Sequence, residues 1–423
     1  MQKQVTTGVT AALIETKQFK TTKINVSFTT ILEDKSELAM RTLIANLLEV
    51  SSQKYPNQKL ISDKLAEMYG ASFGTTVNRR GRMHTIGFSF TCVNDKYLQG
   101  NQNLLTQAAE FLQEVIFNPL VTSPQAKFDL QTFARQKENL INYIQTIKEN
   151  KQTYASLQLQ AGYFLDTIQY TPVYGDVTDL ENINAKMAYE YYQKMLQEDT
   201  INIVISGDLI TSDLSELLTH LPFEARKKQL GDIYYTQNIT NTVYQKEEKQ
   251  SLNQSKLDVA YHLPISYRTE NYYAALVFNA LFGGSVLSKL FINVREKESM
   301  AYYASSNFDS FRQFLYVQTG IEAQNKEHVL RLIERQLNSL ISGDVSVETF
   351  ENVKKELLTD YESRYDSQGT AMLQQVMDTI TQVSIQATEW EEKIAAVTLE
   401  EVCNVAKMVN LQAVYFLNGE ESS

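Results

Sequence analysis

Cysteine and histidine are scarce in this chain. Among 423 residues only Cys92 and Cys403 carry a thiol, too few and too far apart for a disulfide framework or a cysteine-rich zinc site, and a reducing compartment fits that usage. The four histidines, His84, His220, His262 and His328, show no i, i+3 or i, i+4 pairing that would present two ligands on one helix face. An excess of basic charge is also missing. Lys+Arg 39 against Asp+Glu 50 leaves a net charge of −11, which weighs against an electrostatic grip on nucleic acid or anionic lipid. No run of about 18 apolar residues is present, and Met1 to Glu15 has no apolar stretch of signal-peptide length, so a cytoplasmic location is expected. With 6 Pro, 16 Gly and no tract rich in Ser/Gly or Pro, any domain boundary is an ordinary loop and not a tether.

What is present is enough apolar residue, 43%, for a large core. At roughly 150 residues per domain the length suggests two or three domains. Thr22–Leu32 alternates polar with β-branched and aromatic residues and reads as a half-buried strand. Ser36 opens a helix with Leu38, Leu43, Leu47 and Leu48 at helical spacing, and Ser62 begins a second one closed by Gly70. Strand-like runs follow at Ala71–Val77 and Thr85–Val93, with Asn78-Arg79-Arg80-Gly81 as the turn, then helical patterns over Leu104–Phe117 and Ser123–Lys151 and a buried strand at Ile201–Ile205. The second half repeats that order: strand Leu257–His262, helices Tyr272–Phe282 and Val286–Glu298, strands Met300–Asn307 and Phe314–Ile321, helices Lys326–Leu340 and Ser346–Tyr365, and a terminal apolar run Val414–Phe416. The expected fold class is therefore α+β: two homologous domains, over 1–228 and 242–423, offset by roughly 230 residues, each a mostly antiparallel sheet with helices packed on it.

The second half also carries a motif. Leu281-Phe282-Gly283-Gly284-Ser285, Leu290-Phe291 and Arg295-Glu296-Lys297-Glu298-Ser299-Met300-Ala301-Tyr302 resemble the C-terminal half of insulinase-like (pitrilysin) metallopeptidases of the mitochondrial-processing-peptidase type. Ser299 stands where that family has glycine and Met300 where it has leucine. Asn271-Tyr272-Tyr273-Ala274 and Ala396-Val397-Thr398 also follow the family, so the resemblance spans nearly the whole chain. It is closest to a bacterial YmfF-type group of non-zinc subunits whose members carry a label tied to elongation factor P modification. The resemblance implies a half-clamshell of processing-peptidase type. It also implies that Arg295 and Tyr302 hydrogen-bond the substrate backbone, and that Gly283 and Gly284 line the substrate unless they serve only as a left-handed helix cap.

The family's zinc site, H-x-x-E-H on a helix, falls in register on Asn46-Leu47-Leu48-Glu49-Val50, ahead of Lys54-Tyr55-Pro56. Both histidine positions are lost, to an amide at Asn46 and to an aliphatic group at Val50 that has no lone pair. Only the general-base position, Glu49, is kept, and without a metal it reads as a carboxylate facing water or a salt bridge. The downstream metal glutamate falls at Asn142 or Tyr143, in Lys137-Glu138-Asn139-Leu140-Ile141-Asn142-Tyr143-Ile144, and neither is a carboxylate. No zinc is expected in this chain. The resemblance then implies a subunit that positions peptide substrate for a homologous H-x-x-E-H chain carrying the zinc, inactive alone, with a homodimer as one form of the isolated chain. The alternative is a purely structural or peptide-binding protein of the same fold. A self-sufficient metal site built on Glu49 and Glu138 is disfavoured, because no histidine lies near either in the sequence.

Overall fold

Alternation of apolar and polar side chains sets the first sheet. Along strand β3 (Thr21–Ile31), Ile24, Val26 and Phe28 are completely buried on one face, as a half-covered strand requires. In the computed structural model, which describes residues 1–100, 102–122, 127–226, 229–298 and 300–420, this strand is joined by β1 (Gln2–Thr6), β2 (Val9–Glu15), β4 (Ser72–Arg80), β5 (Met83–Val93) and β6 (Thr200–Gly207). The order is β1-β2-β6-β3-β5-β4, with β2 and β6 parallel and the other neighbours antiparallel. Helices α1 (Ser36–Val50), α2 (Gln58–Glu67), α3 (Leu104–Phe117) and α4 (Leu130–Ile147) belong with this sheet. Eleven of the fifteen residues of α1 are buried, the pattern of a helix enclosed on nearly every side.

That enclosure traps a charge. Arg41, in the middle of α1, has a side chain with no exposed surface, and its Nη2 lies 2.7 Å from Asp199 Oδ2 just ahead of β6. The same Nη2 donates to the Phe28 carbonyl of β3 at 3.1 Å, and Nε donates to His84 Nδ1 of β5 at 2.9 Å. Because Nδ1 accepts, a neutral His84 carries its proton on Nε2, which faces the Val173 carbonyl at 3.3 Å. Burial, and then the adjacent Arg41 cation, hold His84 well below the ordinary histidine range. One guanidinium thus ties α1 to two strands and to the start of a third.

The second sheet repeats the first strand for strand. β7 (Tyr244–Ser251), β8 (Ser255–His262), β9 (Ala301–Asp309), β10 (Phe314–Ile321) and β11 (Asn410–Glu420) lie in the order β7-β11-β8-β10-β9, with β7 and β11 parallel. Dropping β1, this is the arrangement β2-β6-β3-β5-β4. The duplication reaches single contacts: Thr75 Oγ1 of β4 lies 3.4 Å from the Ala45 carbonyl, and Ser306 Oγ of β9 lies 3.4 Å from the Asn279 carbonyl. In each case the outermost strand is pinned to the earlier of the two helical segments that precede it.

The chain forms two compact units: Met1–Gln145, Pro172–Ile233 and Tyr365–Gln382 in unit 1, and Thr146–Thr171, Tyr234–Arg364 and Val383–Ser423 in unit 2. Each takes most of its residues from one half of the chain and one long helix from the other. Helix α5 (Lys151–Tyr163) packs on β8 and β11 of unit 2, burying Ala155, Leu159 and Tyr163 against Ala260, Phe314 and Tyr415. At Gly162 the Tyr244 ring packs directly on the backbone, and a Cβ in the same place would lie 2.2 Å from it. Reciprocally, helix Gln368–Thr381 packs on β6 of unit 1, where Gln368 Nε2 donates to the Thr21 and Ser206 carbonyls at 3.0 and 2.9 Å.

Some sequence expectations shift. Asn78–Arg80 stay in β4, paired to Thr85, His84 and Met83, and the turn narrows to Gly81-Arg82 with Gly81 at φ 59°. The second helix begins at Gln58 because Asn57 Oδ1 caps it by accepting from the Leu60 amide at 3.1 Å. The helical pattern expected from Ser123 forms as Leu130–Ile147, behind a Val121–Phe128 bridge, and Ser123 itself lies outside the described residues.

Two expectations follow from the buried network. Arg41→Met leaves Asp199 buried without its cation, and should cost about 3–5 kcal/mol; adding Asp199→Asn should recover part of that loss in a double-mutant cycle read by urea denaturation. The depressed pKa of His84 means that unfolding takes up a proton below about 6.5. The stability His84 confers is thus full above that pH and is lost as pH falls, and His84→Gln should flatten this acid limb of the denaturation midpoint.

Candidate functional site

The degenerate motif sits on the last turns of α1. Asn46 and Glu49 are half-buried, and Val50 is buried. Glu49 is half-buried, and among the described residues it forms no salt bridge. Its Oε2 accepts from the Thr75 amide at 2.9 Å and from Thr75 Oγ1 at 2.5 Å. Thr75 lies on β4, the outermost strand of the sheet, so a carboxylate fills a backbone donor that an added strand would otherwise find open. A general base must be free to reach the proton it abstracts, and this one is engaged by two donors of its own unit.

The downstream position is farther from metal chemistry still. Tyr143 on α4 is more than half exposed, and its ring meets Tyr174 edge-on at 5.4 Å. Asn142 and Glu138 are exposed on the same helix. Tyr174 sits in a segment fastened to α1, because the Val173 carbonyl accepts from Thr42 Oγ1 at 3.4 Å and faces His84 Nε2. Next to it Gly175, at φ 80°, lies so close to Ala39 that a Cβ would come within 2.4 Å. Asn46, Val50 and Tyr143 supply no thiolate, imidazole or carboxylate, so a catalytic zinc, which needs three such ligands, does not fit. Among the described residues no group of three or more His, Cys, Asp or Glu side chains could hold a metal.

In unit 2 the motif residues fall on two π-helical turns and a strand. Helix Tyr272–Asn279 continues as a π-helical turn over Ala280–Gly284, and a second spans Leu290–Lys297, a form of helix found often at functional positions. Neither Gly283 nor Gly284 has a left-handed φ, so the helix-cap reading fails. Gly283 is required by close approach: a Cβ would lie 2.6 Å from the Ser306 amide nitrogen of β9. At Gly284 it would lie 2.7 Å from Asn279 Nδ2. Arg295 stacks over Phe291 at 4.5 Å, approaches Glu296 Oε1 at 3.4 Å and leaves 41% of its side chain exposed. Tyr302 on β9 is 62% exposed and sits at a bulge, where the pairing with β10 steps from Tyr303 to Ala301. Gly283 packs against the buried stretch of β9 that carries Ala304 and Ser306. Ser299, between Arg295 and Tyr302, lies outside the described residues.

An exposed guanidinium and an exposed phenol beside a helix turn with no room for side chains can donate hydrogen bonds to an extended backbone. A helix bearing a half-lost H-x-x-E-H adds no metal to them. Together with the duplicated α+β fold, this defines a metallopeptidase-like chain without the ligands of a catalytic zinc. The sequence profile "Peptidase M16 inactive domain" matches residues 182–357. A Bacillus subtilis (strain 168) protein described as "Probable inactive metalloprotease YmfF" is 30% identical over 422 residues, 98% of this chain and 97% of that one. The crystal structure of a conserved protein from Enterococcus faecalis V583 superposes with a TM-score of 0.94 at 42% identity, covering 100% of this chain and 99% of that one. The peptidase M16 inactive domain from Pseudomonas fluorescens does so at 0.77 and 16% identity, covering 99% and 98%, a likeness of fold. This chain belongs to the M16 family of insulinase-like metallopeptidases, among its inactive members, and carries no catalytic zinc.

Sequence reasoning missed Thr75 as the partner of Glu49 and the whole Arg41–His84–Asp199 cluster. A lone arginine inside the apolar run of α1 was the available signal for the latter. Glu49→Ala should leave the half-buried Thr75 amide without its acceptor and cost about 1–3 kcal/mol. Thr75→Val, which keeps the amide bond to Glu49, should cost less in the same urea titration.

Proposed function

We propose that this chain is the zinc-less subunit of a heterodimeric insulinase-like peptidase of the cytoplasm, binding and positioning peptide substrate for a homologous chain that carries H-x-x-E-H and the zinc. The observation that carries the reading is the contrast between the two sites. The ligand positions Asn46, Val50 and Tyr143 have lost their chemistry, and Glu49 is engaged by Thr75. Arg295 and Tyr302 meanwhile keep theirs and remain exposed. Both groups are donors at neutral pH and need no tuning. Held on a π-helical turn and on β9, they would orient an extended peptide backbone by two hydrogen bonds, with Gly283 and Gly284 keeping the helix side free of protruding atoms. Bond cleavage itself belongs to the partner's metal. This chain contributes orientation, which lowers the barrier by fixing the substrate in line.

The test is peptide cleavage by this chain, by the H-x-x-E-H chain, and by their equimolar mixture. We expect activity in the mixture only, reduced about a hundredfold by Arg295→Ala and less by Tyr302→Phe, with circular dichroism and heterodimer mass unchanged. Equal activity of the H-x-x-E-H chain alone and of every mixture would overturn this reading in favour of a purely structural or peptide-binding role.

A further inference from the structure

The polar residues under helix α5 have no part in the proposed peptide site. Asp258 lies in the middle of β8, completely buried, on the sheet face that α5 covers. A carboxylate there would need donors or a cation. Among the described residues, neither oxygen of Asp258 has a closed hydrogen bond, and the same holds for both polar atoms of the Gln152 amide and for Tyr303 Oη. The groups facing Asp258 come from every neighbouring element: Gln152 from α5, Lys256 from β8 itself, Tyr303 from β9, Gln318, Tyr316 and the Thr319 amide from β10, and Tyr415 from β11. Lys256, the one cation of this set, is turned toward Gln254 and lies over the Tyr303 ring at 5.3 Å.

The same turn of α5 is held beside Asp258 by a second carboxylate in the opposite condition. Glu248 Oε1 and Oε2 accept from Tyr154 at 2.9 and 3.1 Å, Oε2 accepts from Tyr415 at 3.0 Å, and Oε1 accepts from Gln250 at 2.7 Å. Lys151 Nζ donates to Gln250 Oε1 at 2.6 Å. Glu248 is therefore satisfied as an anion, while Asp258 is completely buried with only the loosely placed donors of Gln152, Gln318 and the Thr319 amide facing it.

We propose that Asp258 is a proton-operated latch for helix α5: the neutral acid lets the first turn of α5, Lys151 to Tyr154, seat on the sheet of unit 2, and ionisation releases that turn to admit water. The titration falls in a useful range, because burial pushes the Asp258 carboxyl up to about 7 against the donors and the Lys256 charge that favour ionisation. The sign is that of an acid whose docked pKa exceeds its free value. Docking is favoured while the group is protonated and weakens as pH rises from about 4 through 7. His84 in unit 1 works in the opposite sense, losing stability as pH falls. At the other end of α5, Tyr163 Oη lies 3.4 Å from His262 Nδ1, so residue resolution is needed to separate the two ends.

The experiment is amide hydrogen exchange on the full chain at pH 6 and pH 8, comparing wild type with Asp258→Asn. In wild type, protection factors over residues 151–154, corrected for intrinsic exchange, should fall about tenfold between the two pH values. In Asp258→Asn they should be high and independent of pH. A drop of equal size in the variant, or none in wild type, overturns the latch. If the variant does not fold, the infrared spectrum of wild type decides. A protonated carboxyl band present at pH 6 and gone by pH 8 supports the proposal, and its absence at pH 6 overturns it.

Discussion

Unit 1 depends on a charge that cannot reach water. Helix α1 is covered by its sheet and by neighbouring helices, and Arg41 in its centre has no exposed surface. The cost of burying a cation is met only if the surroundings supply an anion and acceptors. They do so from distant points of the chain: Asp199, the Phe28 carbonyl and His84 Nδ1. These contacts fix α1 against β3, β5 and the entry to β6, and through His84 and Thr42 they also fasten the Val173–Gly175 segment. The position of Asn46, Glu49 and Val50 relative to β4 follows from that placement.

The loss of the zinc site is then a local event on an intact scaffold. Removing two imidazoles takes the metal away without touching the network that holds the helix. The remaining carboxylate has found a donor pair on Thr75, so Glu49 reads as structural in this chain. The second unit shows what this helix-to-edge-strand joint looks like without the carboxylate. Ser306 bonds to the helix as Thr75 does, and Gly283 lets the helix backbone approach the strand closely. One joint uses a side chain and the other uses the absence of one.

Much of this architecture is legible in the sequence where the period is strong. β3, β5 and β8 alternate clearly, β10 opens on a run of apolar residues, and α1 and α3 carry long apolar patterns, so their existence and order follow from local rules. The duplication and the motif around Arg295 are also legible, because both are matters of residue order. What is hidden is non-local. Arg41 looks like a snorkelling surface cation until Asp199 is brought to it. Strand β7 is rich in Lys and Glu because it is an edge strand, and charge of that kind masks strand periodicity. The π-helical turns leave no mark in composition, and no pattern within α5 or Gln368–Thr381 says which sheet each will cover.

That exchange of helices has a physical consequence for how the chain folds. A helix that covers the sheet formed by the other half of the chain makes contacts between residues far apart in sequence, and each such contact must overcome a long loop closure. The covered sheet faces are also partly polar, with Asp258 and Gln318 under α5, and with the Thr21 and Ser206 carbonyls bonded by Gln368. Polar groups of this kind contribute little until their partners arrive, and cost free energy if they are buried before then. Neither sheet can therefore be covered by its own half of the chain alone.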